Sequence, residues 1–193
     1  MKRCNAQLLS FVLALFLMGT QNLVGQELSK EPQIVESPPR KLVGMSRAMS
    51  RIEDRTAELW GAFMPRLNEI TGRRTEDYIS MQVFPSGPEQ LSDPSATFTK
   101  FAVVEVYDFE NVPEGMISYT LPSGVYAVFE HNGPASDLST FMYIFNEWLP
   151  SSERYKLDDR EHLEVLPKNY NALNPNATEE IWIPVRSSPD IGK

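Results

Sequence analysis

The sequence predicts an α+β fold built on a mostly antiparallel sheet. Short segments typical of strands come in runs, and only two segments show the apolar spacing of three and four that indicates an amphipathic helix. Strands that occur in runs, instead of alternating singly with helices, favour antiparallel pairing. The order strand, helix, strand, strand also occurs twice. From the residues alone this repeat is either an internal duplication or a coincidence.

The first half begins with a predicted strand over 41–49. A predicted helix follows, and its apolar residues form one stripe: Ile52, Leu59, Trp60, Phe63, Met64, Leu67 and Ile70. Pro65 lies inside this helix and should kink it or mark a join, because proline cannot donate the helical hydrogen bond. Two predicted strands close the half, over 78–84 and 98–109, with a turn rich in Pro, Ser and Gly between them.

The second half repeats this order. Predicted strands over 115–121 and 125–130 are joined by the turn PSG, and a predicted helix begins near Ser136 or Asp137. The apolar residues of this helix share one face: Leu138, Phe141, Met142, Phe145, Trp148 and Leu149. Pro150 is expected to end the helix. The last two predicted strands, over 162–166 and 180–185, flank a loop rich in Asn and Pro.

The N-terminus has the three parts of a secretory signal peptide, which we place at residues 1–25. Lys2 and Arg3 form a basic start, residues 8–18 are almost all apolar, and a polar stretch follows. The apolar run is too short for a bilayer, which needs about 20 residues. We therefore expect an exported protein, periplasmic or secreted, without a stable membrane span after signal removal. The alternative is an N-terminal membrane anchor that is never cleaved.

The rest of the chain is predicted to hold one domain, at residues 40–186. A polar, proline-containing leader at 26–39 precedes it, and an unpatterned tail at 187–193 follows it. Cys4 is the only cysteine and lies in the predicted signal peptide, so the mature chain has no disulfide and no thiol nucleophile.

The composition argues against several classes of function. The net charge is −8, and no cluster of Lys and Arg is present, so we expect no nucleic-acid partner. Neither histidine, His131 or His162, has metal-ligand spacing around it, and no phosphate-binding glycine loop occurs. We expect no metal and no cofactor, and a neutral or cationic small molecule as the partner. The oligomeric state stays open.

Five segments, in order, carry a resemblance to a known family. They are LWGAFMPR at 59–66, EV at 105–106 with VPEGM at 112–116, LP at 121–122 with YAVFEHNGP at 126–134, EWLPSS at 147–152, and EIWIPV at 180–185. Together they resemble the GyrI-like small-molecule (effector) binding domains. These are related to the effector-binding domains of AraC-type and multidrug-sensing transcription regulators. The resemblance covers residues 40–185.

The resemblance implies duplicated βαββ units with pseudo-twofold symmetry, a curved antiparallel sheet with two main helices, and a ligand groove between the halves. Members of the family serve as drug-sensing modules or as free-standing binding proteins. One member inhibits DNA gyrase, and some relatives hydrolyse cyclopropane-bearing natural products. The family's pocket is aromatic, and an acidic residue on the final strand can face a cationic ligand.

Glu180 matches that acidic position. On a strand, Glu180 and Trp182 share one face, while Ile181 and Ile183 share the other. A carboxylate beside an indole can hold a cation through its charge and through the negative face of the ring. The alternative is an exposed glutamate at the edge of the sheet.

Six further residues are candidates for the ligand groove. Trp148 and Tyr155 lie where the resemblance places aromatic residues near the groove, although Trp148 equally fits the core of its helix. Three strand aromatics belong either to the groove or to the core: Tyr78, Phe101 and Tyr107. Glu105 shares a strand face with Phe101, and an unpaired buried charge is costly, so it is a second candidate acid.

The leading functional prediction is an exported, stand-alone effector-binding domain that binds a small hydrophobic molecule, neutral or cationic, without catalysis. One alternative is a hydrolase of a reactive small molecule, in which Glu180 acts as general base. A second alternative is a protein-interaction module of the inhibitor type.

Overall fold

A computed structural model describes residues 31–85, 87 and 93–188 of the chain. The predicted signal peptide at 1–25 lies outside the described residues, as does the end of the predicted tail. In the described part, no helix is long and apolar enough to cross a membrane.

The described residues form nine strands and two short helical regions. The strands are β1 (Gln33–Ser37), β2 (Arg40–Met49), β3 (Tyr78–Val83), β4 (Phe98–Val106), β5 (Ile117–Leu121), β6 (Gly124–Asn132), β7 (Tyr155–Leu157), β8 (His162–Leu166) and β9 (Thr178–Ser187). The first helical region joins α1 (Thr56–Phe63) to a 3₁₀ helix (Met64–Glu69). The second joins α2 (Ser139–Tyr143), a π-helix (Ile144–Trp148) and α3 (Leu149–Ser151).

All strand pairs are antiparallel, and the strand order is β1-β6-β9-β8-β3-β4-β2-β5, with β7 beside β9. The first half contains β1–β4 and the first helical region, the second half contains β5–β9 and the second helical region, and the halves meet where β3 pairs with β8. The first strand of each half is exchanged, because β1 pairs with β6 and β5 pairs with β2. The predicted α+β class with an antiparallel sheet is confirmed.

The two faces of the sheet differ. On the helix-bearing face, apolar side chains pack under the helices in two clusters, one around Phe63 and Val104 and one around Ile144 and Ile181. On the helix-free face, a third cluster contains Leu42 of β2 and Tyr126 of β6. These strands lie near opposite ends of the sheet order, so the sheet curves around its helix-free face.

Part of the predicted leader is a strand. Residues 26–39 were expected to be unstructured, but β1 lies within this range and pairs with β6 along its whole length. An edge strand of five residues, followed by two prolines, carries little of the alternation by which strands are identified. The ordered domain therefore begins before residue 40.

The first helical region has the predicted join at Pro65, which lies at the start of the 3₁₀ helix. Leu59 and Phe63 of the predicted stripe are buried. Ile52, by contrast, precedes the helix and is exposed. The helix is therefore shorter at its beginning than the apolar spacing indicates.

The second helical region departs from the predicted stripe. It begins at Ser139, whose amide donates to Asp137 Oδ1 at 2.9 Å, and it ends just beyond Pro150, at Ser151. The π-helix widens one turn and shifts the buried side. Leu138 precedes α2 and Met142 lies in the turn before the π-helix, and both, although predicted on the apolar face, are 58% exposed.

Candidate functional site

A groove of about 740 Å³ lies on the helix-bearing face, where the two halves meet. Its floor comes from the central strands and contains Gln82, Phe84, Phe98, Lys100, His162 and Glu164. One wall is the segment that leads into α1, and the other is the second helical region with Leu138, Phe141, Met142 and Phe145. The groove is therefore bounded by both halves, as the resemblance implies.

Phe84 and His162 at the edge of the floor and Phe145 of the second helical region form one continuous aromatic surface, the aromatic wall. The His162 imidazole stacks on Phe145 at 6.2 Å between ring centres, and it meets Phe84 edge-on at 5.4 Å. Phe84 in turn contacts Phe98 at 5.3 Å. Burial lowers the pKa of His162 to about 4, so the ring is neutral at neutral pH. The imidazole thus acts as an aromatic surface.

Glu164 brings a carboxylate to the floor of the groove. Gln82 Nε2 donates to Glu164 Oε1 at 3.3 Å, and Lys100 Nζ lies 4.0 Å from Glu164 Oε2. Gln82 of β3 is opposite Lys100 of β4 on one side and His162 of β8 on the other, and Glu164 lies two residues after His162 on the same face of β8. Three strands therefore present one row of polar side chains beneath the aromatic wall.

The rim of the groove carries both charge and apolar surface. Asp54 Oδ1 accepts the amide hydrogen bond of Thr56 at 2.7 Å. Hydrogen bonds from the hydroxyl and amide of Thr56, together with the charge of Lys100, lower the pKa of Asp54 against the effect of partial burial. On the opposite rim, the exposed side chains of Leu138 and Met142 offer apolar contact to a bound molecule.

Glu180 and Trp182 lie on the helix-free face. Trp182 Nε1 donates to Glu180 Oε2 at 2.9 Å, and Trp182 packs against the helix-free cluster. Ile181 and Ile183 pack on the helix-bearing face, so the predicted alternation along β9 is confirmed. The carboxylate and the indole are adjacent, but their face of the sheet is the one opposite the groove.

Arg40 already contacts the aromatic and acidic side chains on this helix-free face. The Arg40 guanidinium lies 5.7 Å from the centre of the Trp182 ring. Its Nη2 is 2.7 Å from Glu105 Oε2, and Arg74 Nη1 is 3.4 Å from Glu105 Oε1. Glu105, which the sequence marks as a costly buried acid, is thus paired with two arginines. Phe101 lies buried on the same face.

The remaining aromatic candidates are dispersed. Trp148 is buried and meets Phe129 edge-on at 5.1 Å, in the core under the second helical region. Tyr155, expected in a loop, belongs to β7 and packs on the same core. Tyr78 packs edge-on against Trp60 at 6.2 Å. Tyr107 follows β4 and is exposed.

None of the eight predicted ligand-binding residues is among those that line the groove. Glu180 borders a smaller depression of about 350 Å³, together with Asp77, Glu130 and Glu179. Glu164 is not among the residues predicted from the sequence, although it is a carboxylate within an apolar strand, the same signal that identified Glu105. Among the described residues, no group of three or more His, Cys, Asp or Glu side chains is arranged to hold a metal ion.

The fold and the groove define a class: a duplicated α+β domain in which two halves share one sheet and enclose a groove between them. Residues 30–186 match the family model of the GyrI-like small molecule binding domain. The chain belongs to this family, as the resemblance indicates.

The chain is similar to three known proteins. The transcriptional regulator BrlR of Pseudomonas aeruginosa is 28% identical over 154 residues, which are 79% of this chain and 54% of the regulator. The chain therefore spans about half the length of that curated relative. The C-terminal domain of EcmrR has a TM-score of 0.60 at 16% identity, covering 82% of this chain and 98% of that domain. SAV2435 bound to tetraphenylphosphonium has a TM-score of 0.58 at 15% identity, covering 81% and 94%.

Proposed function

We propose that this chain binds a small aromatic molecule in the groove between its two helical regions. The observation that carries the proposal is the groove itself, which combines an aromatic wall of Phe84, Phe145 and His162 with the carboxylate of Glu164. Its volume is within the range of small-molecule sites, roughly 300–1,000 Å³, and its mixture of apolar surface and few polar groups is typical of them.

The family and its relatives support this proposal. The family model describes small-molecule binding, and SAV2435 is seen with tetraphenylphosphonium, a lipophilic cation. Tetraphenylphosphonium is therefore a suitable first probe for this chain. An aromatic cation would stack on the rings of Phe145 and His162 while the carboxylate of Glu164 attracts its charge.

The test compares two glutamates on opposite faces of the sheet. Tetraphenylphosphonium should raise the melting temperature of the wild type, because a ligand that binds only the folded state stabilises it. Glu164→Gln should weaken its affinity roughly tenfold, a difference of about 1.4 kcal/mol. The affinity of neutral triphenylphosphine oxide should change less than about twofold. Isothermal titration calorimetry measures both affinities.

Glu180→Gln is the matched control, since it makes the same chemical change on the helix-free face. It should leave the affinity for both probes unchanged. If Glu180→Gln weakens the cation and Glu164→Gln does not, the ligand lies on the helix-free face and the assignment to the groove is wrong.

We also propose that the domain works outside the cytoplasm. The basic start at Lys2 and Arg3, followed by the short apolar run, supports this proposal. Mass spectrometry of the protein recovered from cell fractions should find, outside the cytoplasm, a chain that begins near residue 26. An uncleaved chain in the membrane fraction would instead support the anchored alternative.

A further inference from the structure

Lys100 places a positive charge on the floor of the groove, next to Glu164. Their charged atoms are 4.0 Å apart, and the side chains are only 13% and 19% exposed. At this distance the two charges attract each other without forming a hydrogen bond. The ammonium group therefore keeps donor capacity, and Glu164, which accepts one hydrogen bond from Gln82, keeps acceptor capacity.

Two further carboxylates lie near the same ammonium group. The charge of Lys100 helps to lower the pKa of Asp54 at the rim, where Thr56 has the largest effect. Burial raises the pKa of Glu179, and the neighbouring Glu164 adds to this rise. The nearby Tyr170 hydroxyl and the charges of His131 and Lys100 oppose it. The positive charge of Lys100 thus acts on three carboxylates, those of Glu164, Asp54 and Glu179.

This arrangement has a consequence for the charge of a ligand. A cation that approaches Glu164 also meets Lys100, which offsets part of the attraction. An anion that approaches Lys100 also meets Glu164, but it can accept hydrogen bonds from the Lys100 ammonium group, which does not hydrogen-bond to Glu164. Because both partners sit in a partly desolvated floor, each interacts with a ligand more strongly than it would in bulk water. A zwitterionic ligand can pair its acidic group with Lys100 and its cationic group with Glu164 at the same time.

We propose that Lys100 is the residue that sets the ligand class of the groove, so that it accepts aromatic anions and zwitterions as well as aromatic cations. This inference rests on the proposed function, because it concerns the same groove. It names Lys100 as a specificity residue that binds the acidic group of the ligand, with Glu164 facing any cationic group and the rings of Phe145 and His162 holding the aromatic part.

The test uses two probes of nearly the same shape and opposite charge, tetraphenylphosphonium and tetraphenylborate, with triphenylphosphine oxide as the neutral reference. The wild type should bind the two ions with dissociation constants within about tenfold of each other. Lys100→Met should weaken tetraphenylborate roughly tenfold and strengthen tetraphenylphosphonium several-fold, while the neutral probe changes less than about twofold.

Lys168→Met is the matched control, because Lys168 is exposed, pairs with Glu76 and does not border the groove. It changes the net charge equally and should leave the ratio of the two affinities unchanged. Lys100→Gln serves as a second variant if Lys100→Met fails to fold, and Glu164→Gln should shift the ratio in the opposite direction.

The outcomes separate the two proposals. If the neutral probe and both ions fail to bind the wild type, the proposed function itself is wrong. If the neutral probe and tetraphenylphosphonium bind but tetraphenylborate does not, Lys100 does not set the ligand class. The inference is likewise overturned if the Lys100 variants leave the ratio unchanged, or if Lys168→Met shifts it as much as Lys100→Met does.

Discussion

The two faces of the sheet carry the same kinds of side chain and use them differently. On the helix-free face, the Arg40 guanidinium lies against the Trp182 ring and makes a close ion pair with Glu105. On the helix-bearing face, Lys100 and Glu164 stand 4.0 Å apart beside an open groove with an aromatic wall. An aromatic ring, a carboxylate and a cation are present in both places.

The two places differ in the distance between the cation and the carboxylate, 2.7 Å for Arg40 and Glu105 and 4.0 Å for Lys100 and Glu164, rather than in the types of residue. Arg40 begins the strand next to β4, so its guanidinium reaches Glu105 with both Nε and Nη2. Lys100 and Glu164 belong to β4 and β8, and β3 lies between these strands. Groups that satisfy each other stabilise the fold, whereas groups that are held slightly apart remain able to bind a ligand.

The largest expected effect comes from breaking the ion pair between Arg40 and Glu105 on the helix-free face. Arg40→Met removes the main partner of a carboxylate that is almost fully buried, and it should lower the free energy of unfolding by about 3 kcal/mol. Urea denaturation monitored by Trp fluorescence measures this loss. Arg74→Met is the matched control, because the Arg74 side chain is 54% exposed and its loss should cost less than about 1 kcal/mol. Equal losses for the two variants would contradict the central role of Arg40.

A smaller effect should appear on the groove side as the pH is lowered. The pKa of His162 is about 4 in the folded protein and 6.5 in the unfolded chain, so between these values the unfolded state binds a proton that the folded state does not. The stability contributed by the neutral ring is therefore present above pH 6.5 and is lost as the pH falls toward 4. At pH 5 the loss relative to pH 7 should be roughly 2 kcal/mol.

His162→Phe isolates this contribution, because a phenyl ring can replace the imidazole between Phe84 and Phe145 without titrating. The difference in stability between the wild type and this variant should change across pH 5–7. Glu179, whose pKa is raised by burial, acts in the opposite direction, but its effect cancels in the difference. A difference that stays constant with pH would show that His162 is not kept neutral by burial.

Much of the fold was predictable from the sequence. The strand at β8, the alternation in β9 and the join at Pro65 follow from local spacing and from the chemistry of proline. Strand β1 was missed because it is a short edge strand before two prolines. The exposure of Leu138 was missed because it precedes the helix, and that of Met142 because the following π-helix changes the rotation between residues, which no regular helical period includes.

The site was less predictable than the fold. The sequence correctly places Glu180 and Trp182 on one face, but alternation cannot say which face has the groove. That depends on where the helical regions pack. Gln82 and Lys100 come from the consecutive strands β3 and β4, but Glu164 comes from β8, far along the chain, so only the strand order brings the three residues together. The resemblance predicted a groove between the halves, and the structure shows which residues line it.

The exchanged strands have a consequence for how the chain reaches this structure. Until β5 has been made, β2 has an open edge, and β6 has one until β1 joins it. Pairing Gln33 with Val128 closes a long loop of chain, and such distant contacts generally form slowly. A chain that emerges N-terminus first therefore carries an incomplete first half, with an unpaired edge that favours aggregation. The exchange makes each half depend on the other, so folding is completed only when both are present.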